Sequence, residues 1–143
     1  MFMGEYNHTI DTKGRLSVPS KFRSMLGLEF VISKGIESCL YVYANDDWNQ
    51  FFENIKSLSL INNEGRKFSR FFMSGAAQVE LDPQGRILIP PKLREHAGLK
   101  KDVVLVGVGS RIEIWDSEKW EEECSRIDME QITEAMEKAE LHI

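Results

Sequence analysis

The chain has 143 residues, 42% of them hydrophobic and 29% charged, with a formal net charge of −5. That length suits one ordinary domain or two small units sharing a core, and that composition describes a soluble globular chain rather than a disordered one. No apolar run approaches the roughly 20 residues of a membrane span, and the N-terminus lacks a signal peptide's hydrophobic region, so neither membrane insertion nor export is expected.

In chain order, the first signal is the turn Asp11-Thr12-Lys13-Gly14-Arg15. Asp bonds nearby backbone amides, and Gly supplies the positive φ that closes a tight turn. Leu16 and Val18 then alternate with polar residues, as a half-buried strand requires. Pro19 marks a helix start, Phe22, Met25 and Leu26 give that helix an apolar stripe, and Gly27 stops it. Residues 30–32 and 40–43 read as the strands of a hairpin. Helices are predicted over 46–60 and 63–73, with Trp48, Phe51, Phe52 and Ile55 on one face and Phe68, Phe71 and Phe72 on another. That aromatic stripe reads as core or subunit contact, not as a stack for bases.

The next turn, Asp82-Pro83-Gln84-Gly85-Arg86, starts the pattern again at an offset of 71 residues. Ile87 and Ile89 take the strand, Pro90 the helix start, Leu93 and Ala97 the stripe and Gly98 the stop. Residues 103–106 and 112–115 complete a second hairpin. Residues 10–23 align without a gap on 81–94, and Trp48 falls on Trp120 after a one-residue insertion. A repeat of roughly 40 to 45 residues therefore organises the chain, each copy a strand, turn, strand, short helix and hairpin. The predicted divisions are a first repeat with its following helix over 5–52, a helical connector over 53–75, a second repeat over 76–124 and an acidic helical tail over 125–143.

The tail gathers the negative charge. From Asp116 onward ten acids face three bases, a net −7, so the rest of the chain carries +2. Trp120, Cys124 and Ile127, then Ile132, Met136 and Ala139, keep helical spacing, which predicts one or two amphipathic helices lying against the body with an acidic face in solvent. A basic face elsewhere is compatible with this distribution.

Chemistry-bearing groups are sparse. Cys39 and Cys124 stand far apart, and His8, His96 and His142 add no metal-ligand spacing, so neither a structural metal nor a cofactor is expected. No Ser-His-Asp or Cys-His set and no phosphate-cradling glycine loop can be assembled. Asp11 and Asp82 would form a carboxylate pair only if the two turns met. An enzyme or a small-molecule substrate is not expected.

What remains is the doubled Asp-x-x-x-Arg. In each turn the aspartate (Asp11, Asp82) lies across from the arginine (Arg15, Arg86) and can hold its guanidinium in one orientation by a charge-assisted bond. An arginine so held, on a turn projecting from the core, suits guanine O6 and N7 in a major groove, or a phosphate. The plainer alternative is that the pair merely latches the turn. Lys13 in the first turn, Lys21 and Arg23 on the first short helix, and Lys92 and Arg94 on the second are candidate phosphate contacts, each weighed against ordinary solvated charge. Positions 21 and 23 do not share one helical face. Gly14 and Gly85 shape the turns.

Asp-x-x-Gly-Arg, a strand ending in Val-Pro or Ile-Pro, then Lys-x-Arg and a Leu-Gly-Leu or Ala-Gly-Leu stop, resembles the AbrB-type swapped-hairpin DNA-binding module. Two such units in one chain of this length, with an aromatic helical insertion and an acidic tail, are similar to the MraZ family. The resemblance implies an α+β fold of two tandem swapped-hairpin β-α-β units with a pseudo-two-fold, barrel-like core and added helices. It implies a transcriptional regulator on the promoter of the division and cell-wall gene cluster, binding double-stranded DNA with repeated operator boxes. It also implies a homo-oligomeric ring, no cofactor and a cytoplasmic, nucleoid-associated location. Asp11, Arg15, Asp82 and Arg86 would be the functional pairs, and Pro83-Gln84 in place of Thr12-Lys13 leaves the second turn without a lysine. The competing expectation is a protein-interaction module, such as an antitoxin-like partner whose acidic tail wraps a basic enzyme.

Overall fold

A computed structural model describes residues 1–141; His142 and the end of the predicted 125–143 tail lie outside the described residues. In chain order the elements are β1 (Phe2–Thr9), β2 (Arg15–Ser17), α1 (Ser20–Leu26), β3 (Glu29–Lys34), β4 (Leu40–Ala44), α2 (Asn45–Ser59) and α3 (Asn63–Gly75). The second half follows with β5 (Ala77–Glu80), β6 (Arg86–Leu88), α4 (Pro91–Ala97), β7 (Asp102–Gly109), β8 (Ile112–Asp116), α5 (Ser117–Ser125) and α6 (Met129–Lys138). The expected unit of strand, turn, strand, short helix and hairpin is thus present twice.

The two copies are interleaved. Six strands form one antiparallel sheet in the order β1-β7-β8-β4-β3-β5, and β2 pairs with β6 as a separate two-stranded ribbon. Among the named strands of the described residues, the pairs internal to a copy are the hairpins β3–β4 and β7–β8, with an isolated bridge between Ile10 and Leu16 in the first copy. The first strand of each copy crosses to the other, β1 onto β7 and β5 onto β3, while β4–β8 and β2–β6 join the copies through the middle. The swap has a physical cause, since either copy alone would leave strand edges unpaired and too little apolar area to cover. The expected barrel-like core takes the form of an open sheet facing a ribbon, with β1 and β5 at its edges.

Alternation along the central strands builds three layers. Phe30, Ile32, Leu40, Val42, Val103, Leu105, Ile112 and Ile114 face the ribbon and the short helices, meeting Leu16, Val18, Phe22, Ile87, Ile89 and Leu93. The intervening residues Val31, Tyr41, Tyr43, Val104, Val106 and Trp115 face the opposite way, against Trp48, Ile55 and Phe72. A sheet covered on both faces explains why these strands read as continuous apolar runs. The aromatic stripe is core in part: Trp48, Ile55 and Phe72 are buried, with Phe72 touching the rings of Tyr41, Phe51, Phe68 and Phe71, while Phe51, Phe52 and Phe71 are half-buried and Phe68 is exposed.

Several local expectations are corrected. Pro19 and Pro90 sit one residue ahead of their helices, at the cap, and the proline inside the first turn is Pro91. Met25 is exposed, because the seven-residue α1 buries only Phe22 and Leu26. The predicted division between residues 52 and 53 falls inside α2. The tail lies against the body only in part. α5 reaches β7 and β8, whereas α6 buries no residue, and Ile127, Met129 and Ile132 are exposed. Among the described residues no helix is long and apolar enough to cross a membrane.

Candidate nucleic-acid interface

Each turn is closed by its own aspartate. In the first, the Gly14 amide donates to the Asp11 carbonyl at 3.0 Å and the Asp11 amide to the Arg15 carbonyl at 3.0 Å. One oxygen of the Asp11 carboxylate accepts from the Lys13 and Arg15 amides, both at 2.9 Å, and the other accepts from Arg15 Nε at 2.7 Å. The second turn repeats this set. The Gln84 and Arg86 amides donate to Asp82 Oδ1, both at 2.9 Å, and Arg86 Nε donates to Oδ2 at 2.9 Å. These bonds favour the charged carboxylate. The Arg15 amide, ahead of the opposing burial and then the Arg15 guanidinium, holds Asp11 at about 2 instead of its ordinary 3.8. The Arg86 amide leads the same set of causes in lowering Asp82.

The turns differ at one bond. Gln84, in the place of Lys13, accepts from a terminal nitrogen of Arg86 at 2.6 Å, so Arg86 is gripped at two points. Among the hydrogen bonds of the described residues, Arg15 is held to its turn at Nε alone. Arg15 is also the freer side chain, 36% exposed against 27% for Arg86. Neither arginine occupies the tip, which belongs to Thr12-Lys13 and Pro83-Gln84. Each is the first residue of its ribbon strand.

That placement puts both arginines on one surface. Leu16 pairs opposite Ile87, and both point inward with Val18 and Ile89. Arg15, Ser17, Arg86 and Leu88 therefore share the outward face, with Arg15 opposite Leu88 and Ser17 opposite Arg86. Arg15 and Arg86 are diagonal neighbours in this pairing, a relation that spans roughly 7–8 Å. The turns themselves lie at opposite ends of the ribbon, where the Val18 amide donates to the Gly85 carbonyl and the Ile89 amide to the Gly14 carbonyl, both at 3.0 Å. Gly14 and Gly85 are four residues apart along the ribbon, about 13 Å at ~3.3 Å per residue, and each aspartate is bonded within its own turn.

The helix bases sort in a way that sequence reasoning did not anticipate. Gly14 and Gly85 have φ of 87° and 74° and are buried despite lying in turns. What covers each is an arginine from the other repeat. A Cβ on Gly14 would meet the Arg94 guanidinium carbon at 2.9 Å, and one on Gly85 would meet that of Arg23 at 2.8 Å. So α4 backs the first turn and α1 the second, and Arg94 Nε is buried with no hydrogen-bond partner. Lys21 and Lys92 are exposed on the same helices, and Lys13 is exposed in its turn. The split between positions 21 and 23 arises here, one facing solvent and the other lying on the neighbouring turn. No group of three or more His, Cys, Asp or Glu residues able to hold a metal occurs among the described residues.

The chain matches the family described as "MraZ protein, putative antitoxin-like" twice, over residues 1–71 and 72–142. A relative from Lachnoclostridium phytofermentans, named "Transcriptional regulator MraZ", is 56% identical over 95% of this chain and 95% of its own. Another of the same name, from Alkaliphilus oremlandii, is 48% identical over 100% of both chains. A solution structure of PHS018 from Pyrococcus horikoshii is 19% identical, with a TM-score of 0.34 over 80% of this chain and 88% of that one.

Proposed function

The chain belongs to the MraZ family, and from that premise we propose that it is a sequence-specific DNA-binding transcriptional regulator. The single observation that carries this reading is the ribbon face, where two arginines stand as diagonal neighbours, each clamped at Nε by its own carboxylate. A two-stranded ribbon fits a major groove, and a pre-oriented guanidinium makes the bidentate contact to guanine O6 and N7. In this reading Arg15 and Arg86 touch bases and Asp11 and Asp82 orient them. Gly14 and Gly85 let the turns close, the exposed Lys13, Lys21 and Lys92 supply phosphate attraction, and Arg23 and Arg94, half-buried on the neighbouring turns, add positive charge behind them. The role is a binding one, with no enzyme activity or cofactor, in the cytoplasm on the nucleoid.

The finer reading is a repressor of the promoter of the division and cell-wall gene cluster, acting on directly repeated operator boxes. Support comes from the size of the surface. One ribbon face offers few base contacts, so affinity would come from several chains on repeated boxes, each raising the effective concentration of the next. A homo-oligomeric ring supplies that linkage. The subunit contacts fall to exposed apolar residues of the α2–α3 hairpin, Leu58, Leu60 and Ile61 near its tip and Phe68 on α3.

The test is titration of the protein with the duplex immediately upstream of its own gene and with a scrambled duplex at two salt concentrations. The reading expects preference for the upstream duplex and an affinity that falls steeply with salt. It further expects cluster transcripts to drop when the protein is overproduced. Equal affinity for both duplexes would reject sequence-specific regulation and favour a protein partner.

A further inference from the structure

The outward face of the ribbon carries four side chains, and the pseudo-two-fold relation between the repeats exchanges Arg15 with Arg86 and Ser17 with Leu88. It is symmetric in charge and asymmetric in its other pair. Leu88 is 59% exposed, while the ribbon's inward apolar residues Leu16, Val18, Ile87 and Ile89 are all buried, so Leu88 belongs to no part of the core. It stands directly across the ribbon from Arg15, and Ser17 stands directly across from Arg86. Each arginine thus has a different cross-strand neighbour, aliphatic in one case and hydroxylic in the other, at the roughly 4.5–5.5 Å separation of opposed side chains.

We propose that Leu88 is a specificity-determining residue that covers the C5-methyl group of a thymine beside the guanine contacted by Arg15. The inference rests on the DNA-binding reading above. Thymine is the one base in unmodified DNA that presents a methyl group in the major groove, and an aliphatic side chain recognises it by excluding water from it. A serine hydroxyl donates or accepts and discriminates weakly between bases. The Arg15–Leu88 half of the face therefore demands thymine next to guanine, while the Arg86–Ser17 half tolerates more. A face whose two halves read differently recognises an element with a direction. The element therefore need not be symmetric, although the protein carries an internal two-fold.

Deoxyuridine lacks only the C5-methyl group, which allows a test by paired substitution. Wild type and Leu88→Ser are titrated with the upstream duplex and with the same duplex carrying deoxyuridine for thymidine. Wild type should lose about fourfold in affinity per occupied box on the uracil duplex, the worth of one methyl removed from water. Leu88→Ser should bind the thymine duplex about fourfold more weakly per box than wild type and lose nothing further on the uracil duplex. The side chain is exposed, so the variant should keep the wild-type thermal midpoint and subunit number. Leu88→Ala repeats the test without introducing a hydroxyl. Equal sensitivity of wild type and variant to the methyl group overturns the assignment, as does insensitivity of wild type. A changed subunit number in Leu88→Ser also overturns it, by making Leu88 a contact between copies. Failure of wild type to prefer its own upstream duplex over a scrambled one would instead sink the DNA-binding reading itself.

Discussion

At the scale of single residues, the turn is held by a carboxylate that accepts two backbone amides and a guanidinium at once. Asp11→Asn keeps an oxygen for the amides and loses the charge-assisted bond to Arg15. The expected outcome is a folded protein with a mobile Arg15 and weaker binding to the upstream duplex. The pH dependence has a defined sign. Asp11 titrates lower in the folded protein than its ordinary 3.8, at about 2, so its contribution is complete above about 4 and disappears as pH falls through about 2. Thermal midpoints of wild type and Asp11→Asn should therefore differ at pH 5 and converge near pH 2. Gly85→Ala tests the opposite side of the second turn. Its φ of 74° disfavours any side chain, and an added methyl group, 2.8 Å from the Arg23 guanidinium carbon, would have to push that arginine aside. A loss of about 1–2 kcal/mol in denaturant unfolding is expected from the backbone conformation alone. Displacement of Arg23 would add to it. The aspartate–arginine pairing was legible in the sequence because both partners lie within one turn, four residues apart. The roles of Arg23 and Arg94 were not, since each depends on a turn 62 or 80 positions away in the other repeat.

At the scale of elements, hydrophobic period placed the hairpin strands, the ribbon strands and the helices, whereas β1 and β5 were expected only as an unplaced first strand of each copy. Residues 40–43 and 103–106 alternate between two cores, which gave the strands but concealed that the sheet is covered on both sides. Helix α3 depends on one ring. Phe72→Ala removes a fully buried side chain packed among Tyr41, Phe51, Phe68 and Phe71. It should cost about 3–5 kcal/mol in denaturant unfolding and raise hydrogen exchange in α2 and α3 first. Helix α6 shows the limit of periodic reasoning. Its stripe is amphipathic, yet periodicity states only that a face is apolar and not what covers it. Deletion after Arg126 should leave the thermal midpoint within a degree or two, because exposed residues carry little of the folding free energy. A large drop would mean that the tail is part of the core assembly.

At the scale of the molecule, duplication in the sequence becomes exchange in the structure. The gapless alignment at an offset of 71 announced two units, and the strand pairing shows that neither completes its own sheet. Exchange also sets the functional geometry. Because β2 and β6 pair with each other, two turns at opposite ends of a ribbon deliver their arginines to one face, where separate hairpins would have placed them apart. The turn sequences make the face unequal, since Gln84 in the place of Lys13 holds Arg86 at a second point while Arg15 is held at one. Arg15, clamped at Nε with no bond at its terminal nitrogens among the described residues, should therefore be the more important reader. The most direct test compares wild type, Arg15→Ala and Arg86→Ala on the upstream and scrambled duplexes at fixed salt, with folding checked by circular dichroism. The account predicts intact folds, a loss of preference for the upstream duplex in both variants and the larger loss in Arg15→Ala. Undiminished preference in both would contradict it, and would reduce the two arginines to latches of their turns.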